Sequence, residues 1–149
     1  MKCKIILLNI LFFVCSINLF GQSQFKNIFK DTAYMYAQGL CASYDEGYIL
    51  SGFNNTTGNF ILEVDTNGSQ LWNKSYLGAG MFKIKKSSGG NYICFGKTYG
   101  GVDRDVFLMK LDSIGNIIWS YSYDLTDESA EDIIQTPDGG FIVCGTRFF

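Results

Sequence analysis

The chain has 149 residues, with 12 basic and 14 acidic side chains, no histidine and a formal net charge of −2. The lack of histidine excludes Ser-His-Asp triads, Cys-His pairs and histidine-ligated zinc or haem sites. The slight negative charge argues against a nucleic-acid-binding protein, and a content of 47% hydrophobic and 16% aromatic residues argues against disorder.

Residues 1–21 are predicted to be a secretory signal peptide. Lys2 and Lys4 form a short basic region, and the apolar run Ile5–Phe20 is short for a membrane span of about 20 residues. Gly21 and Ser23 are small residues, and cleavage is expected after one of them. We therefore expect an exported protein of the periplasm, the cell surface or the medium, with an uncleaved anchor as the alternative.

Five cysteines occur in the chain, and removal of the signal peptide would take Cys3 and Cys15 with it. Cys41, Cys94 and Cys144 would remain, which is an odd number in a compartment expected to be oxidising. At most one disulfide can form within the mature chain. We predict that all three are small buried hydrophobic residues on strands.

The rest of the chain, 22–149, is a repeat. Trp72–Tyr76 matches Trp119–Tyr123 at an offset of 47 residues, and Phe60–Asp65 matches Phe107–Asp112 at the same offset. A second block, in which a turn precedes a strand that ends in glycine, recurs three times. Its copies end at Gly52, Gly96 and Gly145. Self-similarity at this period is typical of repeat architectures.

Each repeat is predicted to contain four strands. Leu62 and Val64 alternate with polar neighbours such as Glu63, which is the period of a half-buried strand. Asp65–Gly68 and Asp112–Gly115 interrupt this alternation. Both segments predict hairpin turns in which glycine supplies a positive φ.

Two complete repeats and part of a third follow from this pattern. The first, at 39–76, has predicted strands at Gly39–Ser43, Gly47–Phe53, Asn59–Asp65 and Gln70–Tyr76. The second, at 81–123, has predicted strands at Met81–Lys86, Asn91–Lys97, Asp105–Leu111 and Asn116–Ser122. The third, at 131–149, has predicted strands at Glu131–Thr136 and Gly140–Thr146. An isolated outer strand is predicted at 25–29, in phase with the last strand of a repeat.

The combined repeat, a DGGYI-type strand followed by an LxKLDxxGNxxW-type hairpin, resembles the repeats of secreted bacterial β-propellers. This family is distantly similar to quinoprotein-like and WD40-like propellers. The structural repeat positions are Asp65, Gly68, Trp72, Asp112, Gly115 and Trp119, together with Gly52, Gly96 and Gly145. The resemblance implies an all-β, propeller-like array of four-stranded antiparallel blades, with an ordinary antiparallel sandwich as the alternative. The spacing from aspartate to tryptophan is one residue shorter than in the quinoprotein docking motif. The resemblance therefore gives little support for quinone-dependent chemistry in this chain.

The predicted array is incomplete, with about two and a half blades and an outer strand. The smallest propeller needs about four blades of four strands. We therefore expect either the N-terminal part of a longer protein or a chain that self-assembles to close the ring.

No residue is predicted to be catalytic or to bind a cofactor or metal. Trp72 and Trp119 could stack on a sugar or a quinone, but their recurrence favours packing between blades. Asp103, Asp105 and Asp112 lack the spacing of a calcium loop, which favours a solvated turn.

Two charge clusters occur in the chain, and the acidic one is predicted to be a solvated loop between two blades, with attraction of a cation or a basic partner as the alternative. The acidic cluster contains Asp124, Asp127, Glu128, Glu131 and Asp132. The basic cluster contains Lys83, Lys85 and Lys86, too few charges for nucleic acid.

These features together predict an exported, non-catalytic β-propeller segment that acts as a binding or scaffold module. Its ligand would be a protein or a glycan and not a nucleic acid, and no integral membrane segment is expected after removal of the signal. The alternative is the front part of a propeller enzyme, either quinoprotein-like or glycan-cleaving.

Overall fold

The computed structural model describes residues 7–8, 28–29, 34–76, 80, 82–98, 104–124 and 127–147. Within these ranges all regular elements are β-strands, so the predicted all-β class is confirmed. Two short strands, β1 (Leu7–Leu8) and β2 (Ile28–Phe29), pair in parallel. The rest of the predicted signal peptide at 1–21 and of the predicted outer strand at 25–29 lies outside the described residues.

Sheet 1 is a four-stranded antiparallel meander. Its strands are β3 (Met35–Ala42), β4 (Tyr48–Asn54), β5 (Gly58–Val64) and β6 (Gln70–Tyr76), hydrogen-bonded in that order. β6 spans the predicted residues, whereas β3 begins well before the predicted Gly39. The extra residues of β3 pair with the end of β4, where Met35 lies opposite Asn54. Such pairing is a long-range contact, and the local sequence gives little sign of it.

Sheet 2 repeats this meander, and sheet 3 contains its first two strands. Sheet 2 consists of β7 (Phe82–Ser87), β8 (Asn91–Lys97), β9 (Val106–Leu111) and β10 (Ile117–Tyr123). Sheet 3 consists of β11 (Glu128–Gln135) and β12 (Phe141–Arg147). The four-stranded antiparallel sheets of the prediction are therefore present twice within the described residues.

The turns between the third and fourth strands have the predicted chemistry. Gly68 has a φ of +83° and Gly115 a φ of +79°, a region that side chains with a Cβ rarely adopt. In the first turn the Asp65 carboxylate accepts hydrogen bonds from the backbone N–H groups of Asn67, at 2.7 Å, and Ser69, at 2.9 Å. The aspartate side chain thus caps the backbone N–H groups of the turn, as aspartate commonly does in turns.

The Asp65 turn predicts a pH-dependent stability. The N–H groups of Ser69 and Asn67 hold the pKa of Asp65 below its usual value of 3.8. A lowered folded-state pKa stabilises the fold above the unfolded pKa, and this contribution is lost as pH falls through the folded pKa. We expect the stability advantage over Asp65→Asn to be largest above about pH 5 and to shrink below about pH 3 in urea unfolding. An advantage of equal size at both pH values would contradict this account.

The three sheets stack in chain order. We call the face of a sheet that points towards the next sheet its forward face, and the opposite face its backward face. The forward face of sheet 1 packs on the backward face of sheet 2, and sheet 2 packs on sheet 3 in the same sense. Ile49, Ile93 and Ile142 hold equivalent forward positions, because each precedes a repeated glycine by three residues. Side chains alternate along a strand, so the neighbouring Tyr92 and Cys94 lie on the backward face of sheet 2.

Two hydrophobic cores fill these interfaces. The core between sheets 1 and 2 contains Ile49, Ile61, Tyr76, Phe82, Ile84, Tyr92, Cys94, Phe107, Met109 and Leu111. The core between sheets 2 and 3 contains Ile93, Phe95, Leu108, Ala130 and Ile133. Both faces of sheet 2 are therefore buried, and its central strands read as nearly continuous apolar runs.

Candidate functional site

Trp72 joins the last strand of sheet 1 to sheet 2. Its ring packs on the core between the sheets and lies over the turn glycine Gly115, whose Cβ, if present, would be 2.9 Å from Trp72 Cη2. The Tyr76 hydroxyl donates a hydrogen bond to the Gly115 carbonyl at 2.7 Å, and burial raises the pKa of this phenol well above its usual value. Lys74 Nζ donates to Asn116 Oδ1 at 2.7 Å. These contacts fasten β6 to the turn of the next sheet.

Trp119 holds the equivalent place in sheet 2 but has different neighbours. It packs against Phe141 with ring centroids 5.9 Å apart, and against Tyr121 at 5.4 Å. Tyr123, the equivalent of Tyr76, is 48% exposed, whereas Tyr76 is 7% exposed. Within the described part of the chain, sheet 3 has two strands and therefore no counterpart of the turn that contains Gly115 in sheet 2.

An open groove of about 730 Å³ is lined in part by Tyr123 and Phe141. One wall consists of Val106, Leu108 and Tyr123 of sheet 2, and the other consists of residues of β11 and β12. Among the described strands, β12 pairs only with β11, so its other edge borders this space. We call this space the β12 groove.

Glu128 lines the β12 groove with a buried carboxylate. Its side chain is 9% exposed, and neither carboxylate oxygen accepts a hydrogen bond among the described residues. Arg147 Nε lies 3.4 Å from Glu128 Oε1, close enough for charge attraction but without hydrogen-bond geometry. Because a buried carboxylate without hydrogen bonds is costly, Glu128 is suited to accept a donor from a ligand.

The acidic cluster is not one solvated loop as predicted, because Glu128, Glu131 and Asp132 lie on β11 and Glu128 is buried. Lys83 Nζ lies 3.1 Å from Glu131 Oε2, and Lys85 pairs with Asp132. Hydrogen bonds from Ser129 and Lys83 hold the pKa of Glu131 below its usual value, and the hydrogen bond from Lys85 lowers that of Asp132. The four side chains are about half exposed, so the pairs contribute little stability. Both ion pairs join β7 of sheet 2 to β11 of sheet 3.

The carboxylates considered for calcium are dispersed in the structure. Asp112 closes the turn of sheet 2, Asp105 lies just before β9, and Asp103 lies outside the described residues. The Arg104 guanidinium donates two hydrogen bonds to the Asp127 carboxylate, from Nε to Oδ1 and from Nη2 to Oδ2, the latter at 2.7 Å. Across the described ranges, no three metal-ligating side chains converge.

The cysteines differ in burial, which corrects the prediction that all three are buried. Cys94 is fully buried in the core between sheets 1 and 2, Cys41 packs against the same core, and Cys144 is exposed. Burial raises the pKa of Cys41 to about 11 and that of Cys94 well above its usual value, so both stay protonated thiols. Cys144 lies on the forward face of sheet 3, which no described sheet covers.

Gly145 of the groove lining is one of the repeat positions, but the sequence did not bring Tyr123, Leu108 or Glu128 together as one site. The available signal was the phase of Tyr123, which repeats Tyr76 at the offset of 47 residues. That phase predicts the same strand position but not the same exposure. Exposure depends on the next sheet, and the repeat itself does not encode that neighbour.

Within the described residues there is no helix of the length and apolarity needed to cross a membrane. Comparisons with protein-family models and with curated proteins give no match. The candidate site is therefore defined by its geometry.

Proposed function

We propose that this protein is an exported, non-catalytic module of propeller-like β-blades that binds a partner or serves as a scaffold outside the cytoplasm. The observation that carries the proposal is the one-directional stack of the three sheets. Equivalent residues fill successive interfaces, and large apolar side chains such as Tyr123 and Ile142 are exposed among the described residues. Exposed apolar surface of this kind commonly marks an interaction site.

Two further observations support the blade interpretation. Each complete sheet is a meander of four antiparallel strands, which is the plan of a propeller blade. The first strands of successive sheets, β3 and β7, also contact each other, as inner strands of neighbouring blades would.

Expression of the full chain in a bacterial host tests the proposed export. We expect the product in the periplasm or medium, with residues 1–21 removed and Gln22 at its N-terminus, as read by intact mass. Replacing Leu11 by arginine places a charge in the apolar run and should leave a full-length cytoplasmic product. An unprocessed wild-type chain in the cytoplasm would contradict the proposal.

The same exported product tests the non-catalytic role. We expect no turnover of glycans or peptides and no quinone absorbance. Turnover, or a bound quinone, would favour a propeller enzyme instead.

A further inference from the structure

We infer that Asn67 is a site of spontaneous deamidation, and that the turn capped by Asp65 restrains this reaction in the folded protein. The inference goes beyond the proposed binding role and does not depend on it. Asn67 and Gly68 form the one Asn-Gly pair of the sequence. Asparagine is among the thermolabile residues of proteins, and a following glycine presents its backbone nitrogen without the hindrance of a Cβ.

The reaction needs no co-reactant other than water. The backbone nitrogen of Gly68 attacks Cγ of Asn67, and the new bond closes a five-membered succinimide ring. The bond from Cγ to Nδ2 breaks, and the proton of the attacking nitrogen leaves with the ammonia. Water then opens the ring at either carbonyl, which gives aspartate or isoaspartate at position 67. No atom is oxidised or reduced.

The structure makes Asn67 accessible for this chemistry. Asn67 is exposed in the turn between β5 and β6. Asn116 of the equivalent turn in sheet 2 differs, because its Nδ2 donates a hydrogen bond to Asp112 Oδ2 at 2.8 Å. The residue after Asn116 is Ile117, whose branched Cβ hinders attack by its backbone nitrogen. The two turns therefore differ in reactivity although they share a backbone plan.

The turn also holds the attacking nitrogen in place. The Gly68 N–H donates to the Asp65 carbonyl oxygen at 3.1 Å, so both the proton and the position of this nitrogen are fixed. The Asp65 carboxylate accepts hydrogen bonds from the N–H groups of Asn67, at 2.7 Å, and Ser69, at 2.9 Å, on either side of it. Ring closure requires the nitrogen and Cγ to meet in a defined orientation. The turn must therefore open before attack.

Deamidation is expected to loosen the hairpin of β5 and β6. Isoaspartate adds one carbon to the main chain within the turn, and either product places a second carboxylate near that of Asp65, where like charges repel. β6 follows this turn directly and carries Trp72 and Tyr76, which contact the Gly115 turn of sheet 2. The modification would therefore weaken the strand that joins the two complete sheets.

Ageing of the purified full-length chain in warm, mildly alkaline buffer tests the site. We expect peptide mapping by mass spectrometry to find the first deamidation at Asn67, with isoaspartate detected by enzymatic methylation. A second sample held unfolded in urea should react faster at Asn67 than the folded chain. Earlier deamidation of another asparagine in the folded chain, or equal rates at Asn67 in the folded and unfolded samples, would overturn the inference.

Substitutions of Asp65 test the restraint. Asp65→Ala removes both side-chain caps and should speed deamidation of Asn67 about fivefold, which is the factor by which one hydrogen bond shifts an opening equilibrium. Asp65→Asn keeps an acceptor oxygen and should have a smaller effect. Asp112→Ala makes the same change in the turn of sheet 2 and should leave the rate at Asn67 unchanged. Equal acceleration by the two alanine variants would show that the reaction follows global unfolding, and would contradict a local restraint.

Ile114→Asn separates the sequence pair from its structural setting. Ile114 holds the position of Asn67 in the second turn, so the substitution creates a second Asn-Gly pair. The Gly115 N–H also donates to a turn carbonyl, at 3.1 Å, and Trp72 and Tyr76 contact Gly115 in addition. We expect the new asparagine to react more slowly than Asn67 in the folded protein and at a similar rate in urea. A faster reaction at the new position in the folded protein would show that turn contacts do not set the rate.

Discussion

Replacing Phe82 by alanine is expected to lower the free energy of unfolding by about 3–5 kcal/mol. Phe82 is 1% exposed and lies between sheets 1 and 2. Its ring packs edge-on against Tyr76, with centroids 6.4 Å apart, and against Phe107 at 6.3 Å. Alanine would leave a cavity at the contact that joins the two complete sheets, and cavities in a dense interior are only partly filled by relaxation.

Urea unfolding of the variant and wild type, followed by tryptophan fluorescence, measures this loss. Ile117→Ala on β10 is the control, because its side chain is more than half exposed, and it should change the free energy of unfolding by less than about 0.5 kcal/mol. Phe82→Leu keeps most of the buried volume and should cost less than Phe82→Ala. Equal stability of Phe82→Ala and Ile117→Ala would show that the two sheets do not depend on this interface.

The Gly52→Ala substitution is expected to destabilise the fold by about 2–3 kcal/mol. Gly52 lies on β4 opposite Ala37 of β3, where the register of β3 shifts at a bulge. A Cβ at this position would overlap the carbonyl oxygen of Tyr36 and would lie 2.6 Å from Phe60 Cζ. The Tyr36 oxygen belongs to the backbone of a paired strand, so the methyl group can be accommodated only by moving the strand or the buried Phe60 ring.

Gly140→Ala is the matched control for Gly52→Ala. A Cβ at Gly140 would approach only the side chains of Thr136 and Asp138, at 3.0 and 3.3 Å. We expect this change to alter the free energy of unfolding by less than about 1 kcal/mol, since Gly→Ala also reduces the entropy of the unfolded chain. Thermal unfolding of both variants would test the difference, and equal melting temperatures would contradict the steric account.

Close contacts with the backbone of the neighbouring strand explain why glycine occurs at two of the three repeated glycine positions, Gly52 and Gly145. Gly145 lies opposite Ala130, next to a bulge of β11, as Gly52 lies next to the bulge of β3. A Cβ at Gly145 would overlap the carbonyl of Ser129. Bulges bend one strand towards or away from its partner, and here the first strand of the sheet approaches the second too closely for a side chain at the glycine.

Much of the strand pattern could be predicted from local sequence. β6 and β8 span their predicted residues, since alternation and the flanking turns define both ends. β11 begins at Glu128 and not at the predicted Glu131. Its first residues pair with the end of β12, and charged residues such as Glu128 give no strand signal of their own.

The candidate site was less predictable than the strands. Its residues come from β9, β10, β11 and β12, and Gly145 is the one repeat position among the residues that line the groove. The ion pairs of Lys83 and Lys85 with Glu131 and Asp132 were likewise invisible in sequence, because the partners are more than 45 residues apart. Stacking of sheets 2 and 3 brings them together.

The all-β class, the four-stranded sheets and the turns from Asp65 to Gly68 and from Asp112 to Gly115 follow from local sequence, because alternation and turn chemistry act between near neighbours. The packing of the sheets, in contrast, sets which of the equivalent residues are buried. Tyr76 and Tyr123 occupy the same repeat position, yet the first is sealed beneath a turn and the second borders an open groove. The burial of a residue depends on whether the next sheet in the stack packs against it, and the sequence of one repeat does not show this.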